Sequence, residues 1–176
     1  VVVGNSMKNL NEHTIKSLSE SMVNLCLVPL GLDETISMMH FFEFFMHGTG
    51  HWLGLDVHDA GSTEVDGQPR QFKDGMVTTV EPGIYVRPTK PVIEFPLIER
   101  DPKKIRERRK LLGMEKATIL EKEEISNAKT IKHEIPKELL GIGVRIEDDI
   151  ICTNDGPVNM TEKAPKTIEE IEAITS

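Results

Sequence analysis

Apolar side chains recur at intervals of three and four near the start of the chain, where Ile15, Leu18, Met22 and Leu25 fall between Asn11 and Leu27. That spacing lines one face of a cylinder and predicts an amphipathic helix. Pro29 and Gly31 interrupt it. A second helix is expected to start at Asp33, whose carboxylate can cap it, and to run towards His40. The pattern then changes: in FFEFFMH, Phe41 to His47, five of seven side chains are large and apolar. Such a run predicts a buried strand that delivers His47 to the end of a sheet. MVTTVEPGIYV, Met76 to Val86, reads as a strand, a Pro-Gly interruption after Glu81 and a return to extended chain. GVRIEDDIICT, Gly143 to Thr153, is a third strand, with Arg145, Glu147 and Asp149 on one face and Val144, Ile146 and Asp148 on the other. The tail APKTIEEIEAI reads as a polar turn leading into a short terminal helix. No internal repeat is visible.

Between Pro88 and Leu140 the pattern loses its apolar periodicity. ERDPKKIRERRKLLGMEKATILEKEEISNAK mixes both charge signs, and Ile105, Leu111, Leu112, Ile119, Leu120 and Ile125 are too few to build a core of their own. Residues 88–140 are therefore expected to form a charged, helical, exposed insertion. KKIRERRK as a contact for an acidic partner or nucleic acid carries the smaller share, because acidic residues follow at once and a solvated charged face is the usual case.

Composition narrows the class. A chain of 176 residues with 38% hydrophobic content can bury one sizeable core, as a single domain or one domain with an excursion. The net charge of −8 argues against a nucleic-acid partner. Cys26 and Cys152 fit no zinc spacing and no secreted disulfide framework, so both are expected to be buried free thiols. No apolar run reaches membrane-spanning length, and VVVGNSMKNL lacks the basic start of a signal peptide; a cytoplasmic protein without a membrane partner is expected. Position 1 is valine rather than methionine, so the chain is expected to be part of something longer.

The densest candidate chemistry lies in MHGTGHWLGLDVHDAG, residues 46–61, with three histidines and two aspartates in sixteen positions. A zinc-protease H-E-x-x-H helix is excluded, because Gly48 stands where glutamate is needed and Gly50 disfavours a helix. A dinucleotide fingerprint fails by one residue, since it needs glycine at the position of Leu53. What remains is a constellation of His51, Glu81 and Glu147. One imidazole with carboxylates suits a borderline or hard divalent ion, and a bridging carboxylate can hold two. Such a site suits hydrolysis, with a carboxylate shuttling the proton. The blander readings differ by residue. His13, His40 and His133 read as hydrogen-bonded structural groups and Trp52 as packing; Glu81 alone would satisfy turn amides, and Glu147 alone would pair with Arg145. His47, His51 and His58 stand apart, because glycines at 48, 50 and 54 imply close backbone approach.

FFMHGTGHWLGLDVHDAG, GMVTTVEPGIYV, GIGVRIEDDIICT and APKTIEEIEAI, in that order, closely resemble the C-terminal catalytic domain of bacterial Xaa-Pro aminopeptidases (aminopeptidase P). These belong to the pita-bread metallopeptidases, with prolidases, creatinases and methionine aminopeptidases. The resemblance covers most of the chain outside residues 88–140, and NLNEHTIKSLSESMV is similar to the helix that precedes these motifs. The tryptophan in GHWLG resembles aminopeptidase P more than prolidase. The resemblance implies an α+β, partial pita-bread fold: a curved antiparallel sheet with helices on its outer face, the whole of residues 1–176 being the C-terminal part of a catalytic domain. It implies that His51, Glu81 and Glu147 are metal ligands, Glu81 also serving in proton transfer and Glu147 bridging two ions. It further implies that His47 and His58 contact the substrate, His58 and Arg145 joining Glu81 in catalysis. The implied reaction removes the N-terminal residue from a peptide whose second residue is proline, with two Mn²⁺ ions in the complete family site, and leaves room for a homo-oligomer.

Two features depart from the family pattern. The family's two aspartate ligands, in a D-x-G and D-x-T-R-type stretch before the first helix, are not in this chain, so the expected metal site is incomplete and the N-terminal part is lacking. The connection at 88–140 is much longer than the family's, and lies where it would alter access to the site. A prolidase-type Xaa-Pro dipeptidase and a catalytically silent pita-bread binding module stay open as alternatives.

Overall fold

The computed structural model describes residues 1–176. In chain order the elements are α1 (Met7–Asn24), α2 (Leu32–Ser37), a 3-10 turn (His40–Glu43), β1 (Glu64–Val65), β2 (Gln68–Pro69), β3 (Val77–Val80), β4 (Gly83–Tyr85) and β5 (Val92–Pro96). There follow α3 (Pro102–Leu112), α4 (Met114–Asn127), β6 (Thr130–Glu134), a second 3-10 turn (Lys137–Leu139), β7 (Gly143–Arg145), β8 (Asp148–Thr153), β9 (Gly156–Asn159) and α5 (Ile168–Thr175). They assemble into two compact units built from interleaved stretches: Val1–Thr14, His47–Ile84 and Val144–Ser176 in the first, Ile15–Met46 and Tyr85–Gly143 in the second. No helix is long and apolar enough to cross a membrane.

The first helix begins before the apolar spacing becomes visible, because Ser6 caps it. Its Oγ accepts from the Asn9 backbone N–H at 3.3 Å, the N-cap geometry that satisfies an otherwise unpaired helix-start donor. The other end closes with Cys26 in the left-handed region (φ 53). There the N–H of Leu27 donates to Met22 O and that of Cys26 to Val23 O, the paired bonds of a Schellman closure, while Leu27 and Met22 are both fully buried. This closure corrects the expectation of two buried thiols: the cap position leaves Cys26 exposed, and only Cys152 is buried. The second helix is short, with Gly31 rather than Asp33 at its N-cap.

The aromatic run is not a strand. Met39 enters the left-handed region (φ 58) and His40–Glu43 coil into the 3-10 turn. Phe41, Phe44 and Phe45 are buried while Phe42 is 49% exposed. The buried positions thus follow a three- and four-residue interval, which an unbroken run of phenylalanines conceals.

In the first unit β3, β8 and β9 form an antiparallel sheet, with Val77 opposite Ile151 and Val80 opposite Asp148. The expected third strand divides into β7 and β8, and β7 is the hydrogen-bonded neighbour of β4. The core here is Trp52, Phe72 and Cys152, with Val1, Met7, Leu10 and Met76 packed against it. Trp52 acts in packing: its ring meets Phe72 edge-on at 5.8 Å, and the Arg70 guanidinium sits 5.5 Å from its centroid. The tail helix α5 is closed by a capping box between Thr167 and Glu170.

In the second unit β5 pairs antiparallel with β6, from Val92 opposite Glu134 to Pro96 opposite Thr130. Residues 88–140 thus hold two strands as well as helices, and Ile93, Phe95 and Ile135 of this stretch are buried. Asp101 caps α3 through a 2.8 Å bond from Lys103 N–H. Arg109 clasps Glu121 with two bonds (3.2 and 2.9 Å) and Arg108 pairs with Glu124 at 2.7 Å, so the mixed charges of KKIRERRK and EKEE join α3 to α4.

His40 adds a pH dependence to the second unit. Its ring is buried against Phe95 (4.9 Å), and Nε2 donates to Pro96 O at 2.9 Å. Nδ1 is buried and unpaired, so charging the ring would place a proton on an atom with no acceptor. Burial holds the pKa below its ordinary value of 6.5, against the opposing effect of the Pro96 bond. A basic group whose folded pKa is depressed stabilises the fold above its unfolded pKa, and that stability is lost as pH falls towards the folded value. Melting temperature should therefore fall from pH 7 towards pH 5.5, and less steeply in His40→Phe. Parallel slopes in the two proteins would rule His40 out as the source.

Candidate metal centre

Residues 49–53 run beside β3 without forming a regular strand. Glu81 N–H donates to Thr49 O at 2.7 Å, Thr79 N–H to His51 O at 3.0 Å and Leu53 N–H to Val77 O at 3.2 Å. This short ladder, and not the aromatic run before it, aligns His51 with β3. The approach leaves no room for a side chain at residue 50, where a Cβ would lie 1.9 Å from Thr79 O. At Gly54 the would-be Cβ lies 2.0 Å from Asp59 Oδ2, the end of a side chain that can turn aside, so the constraint is weaker than at Gly50. At Gly48 the expected close approach is absent, the nearest atom being 3.8 Å away.

The imidazole of His51 has a defined orientation. Nδ1 lies 3.0 Å from the Trp52 carbonyl, which can only accept, so Nδ1 carries a proton and Nε2 is the nitrogen that can offer a lone pair to a metal. Nε2 faces Glu81 Oε1 at 3.4 Å. The Glu81 side chain is only 12% exposed, and its Oε1 accepts from Thr79 Oγ1 at 3.0 Å. Strand alternation puts Thr79 and Glu81 on one side of the chain. Glu147 arrives from the break between β7 and β8, where Ile146 N–H donates to Pro82 O at 3.3 Å. Arg145 serves both carboxylates, with Nη1 3.5 Å from Glu81 Oε2 and Nε 3.7 Å from Glu147 Oε2. One ligand atom from each of His51, Glu81 and Glu147 lies within 4.8 Å of the other two. An imidazole nitrogen and two carboxylates at that spacing fit one small divalent ion, since they combine borderline nitrogen with hard oxygen donors.

The family model for metallopeptidase family M24 matches residues 2–154. The chain belongs to metallopeptidase family M24. Among its relatives are the Xaa-Pro aminopeptidase of Haemophilus influenzae, 34% identical over 172 residues, and that of Escherichia coli, 33% identical over 173. These alignments take in 98% and 97% of this chain but 30% and 29% of the relatives, so the chain spans about a third of their length. Among solved structures it is similar to the aminopeptidase PepP of Pseudomonas aeruginosa (TM-score 0.71, 32% identity, 99% of this chain and 30% of that one). It is also similar to zinc-substituted E. coli aminopeptidase P in complex with product (TM-score 0.69, 32% identity, 98% and 29%). The architecture is a partial pita-bread α+β fold.

Membership of M24 implies a divalent metal, and the residues that fit one are those of the group above. Among the other histidines of this M24 chain, His58 lies beside the group, its ring 4.1 Å from that of His51 at 73°. His47 stands outside the group of three, with Nδ1 2.8 Å from Gly48 O. His40 and His133 hydrogen-bond to the carbonyls of Pro96 and Cys26 and belong to the second unit's framework. Thr79 and the Trp52 carbonyl are the site groups that motif reading passes over. The one available signal for Thr79 is its place two residues before Glu81 in TTVE.

Proposed function

We propose that this chain is the C-terminal part of the catalytic domain of an Xaa-Pro aminopeptidase, with residues 88–140 as an insertion within it. The reaction is manganese-dependent removal of the N-terminal residue from peptides with proline second. The observation that carries this reading is the convergence of His51, Glu81 and Glu147 within 4.8 Å, in a chain 34% identical to a named Xaa-Pro aminopeptidase.

His51 Nε2 and the carboxylates of Glu81 and Glu147 would hold the ion. When bound, a divalent ion supplies Lewis acidity at the scissile carbonyl and a nucleophile at neutral pH. Glu81 is the proton carrier: Thr79 occupies Oε1, which leaves Oε2, beside Arg145, to take a proton and return it to the departing amine. The Arg145 guanidinium offsets the repulsion between two carboxylates that must share one small volume. His58, against the His51 ring, and His47 bind the peptide, and a neutral or charged imidazole there can donate to a developing oxyanion.

The test is hydrolysis of Xaa-Pro-Xaa peptides and Xaa-Pro dipeptides with added manganese, comparing the protein with Glu147→Ala. Loss of a direct ligand should exceed the roughly 10–100-fold typical of removing a ligand's outer partner. Equal turnover in the two proteins would reject the reading. Turnover confined to dipeptides would identify a prolidase, and manganese binding without turnover a silent module.

A further inference from the structure

Thr79 is 1% exposed and touches two members of the metal group at once. Its Oγ1 accepts from the backbone N–H of His51 at 3.0 Å and donates to Glu81 Oε1 at 3.0 Å. A hydroxyl has a single proton, and because the amide can only donate, that proton is directed at the carboxylate. The His51 peptide is held from its other side too, its carbonyl accepting from Thr79 N–H (3.0 Å) and from Thr78 Oγ1 (2.9 Å). Gly50 is what lets the two segments approach this closely. A threonine chosen only for strand propensity would not need both of its hydroxyl functions used on groups that flank the same ion site.

We infer that Thr79 is a positioning residue that locks the Glu81 carboxylate to the His51 peptide, so that the imidazole and the carboxylate present a fixed pair of donors to the metal. The inference rests on the proposed metal site. Pre-orienting two ligands lowers the ordering cost of binding, and the hydroxyl also fixes which oxygen of Glu81 stays available.

The test is calorimetric titration of Mn²⁺ into the protein and into Thr79→Val, Thr79→Ser and Thr79→Ala, each checked for folding by near-UV circular dichroism. Valine keeps the shape and removes the hydroxyl; serine keeps the hydroxyl and removes the methyl. Mn²⁺ affinity should fall by about 10–100-fold in Thr79→Val and be retained in Thr79→Ser, the range seen when a metal ligand loses its outer hydrogen-bond partner. Unchanged affinity in Thr79→Val, or an equal loss in the serine variant, overturns the inference. Should Thr79→Val not fold, the comparison of Thr79→Ser with Thr79→Ala decides, since these differ only in the hydroxyl, and equal affinities overturn it. Absence of Mn²⁺ binding by the unmodified protein would instead overturn the metal-site reading on which the inference stands.

Discussion

Glu81→Gln is expected to lower kcat on Xaa-Pro-Xaa peptides by about 10²–10⁴-fold, the range over which a positioned acid or base contributes. The substitution is nearly isosteric, and its amide oxygen can still accept from Thr79 Oγ1, so the local fold should survive. What disappears is the charge facing His51 Nε2 at 3.4 Å and Arg145 Nη1 at 3.5 Å, and with it the capacity to take and return a proton. Steady-state kinetics with saturating manganese, together with a melting curve, separate the two effects. A variant with unaltered kcat and unaltered melting temperature would remove Glu81 from the mechanism.

The largest expected loss of stability comes from Phe95→Ala, at about 3–5 kcal/mol in urea unfolding, as for other large aromatic truncations in cores. Phe95 is 2% exposed, and its ring contacts His40 at 4.9 Å, His133 at 6.2 Å and Phe44 at 6.4 Å. These neighbours come from two separate stretches of chain, so the cavity has no single flexible wall that can collapse into it. Phe42→Ala makes the control, because that ring is 49% exposed and should cost much less. Equal losses in the two variants would mean that the buried position of Phe95 contributes nothing special.

The convergence of His51, Glu81 and Glu147 is legible in the sequence as a set, although each residue alone has an ordinary structural reason to be where it is. Glu81 precedes a Pro-Gly break and so stands out, Glu147 is marked by the family motif rather than by its charged surroundings, and the glycine at position 50 is explained by the Thr79 carbonyl. Thr79 does not stand out. Threonine is a favoured strand residue, and nothing in TTVE tells a hydroxyl that bonds a carboxylate from one that merely packs. The same limit applies to the fold. Periodicity finds α1 but not its start, since Ser6 acts through one hydrogen bond and not through a pattern. The run FFEFF defeats periodicity altogether, because buried and exposed phenylalanines look alike until the left-handed turn at Met39 sets the register. Charge reading of 88–140 finds the helices but misses β5 and β6, whose alternation of exposed with buried residues in β5 and with half-buried ones in β6 is short.

The interleaving of the two units also bears on how the donors find one another. Glu81 and Glu147 belong to one unit, but the chain between them is largely the stretch Tyr85–Gly143 of the other. Bringing the ends of a loop together costs entropy that grows with its length, by about 0.6 kcal/mol for each doubling. Pairing of β5 with β6 ties that loop off internally, so the effective length to be closed is far shorter than the sequence distance. Pairing of strand residues that include Phe95 therefore lowers the entropy cost of bringing Glu81 and Glu147 together when the chain folds.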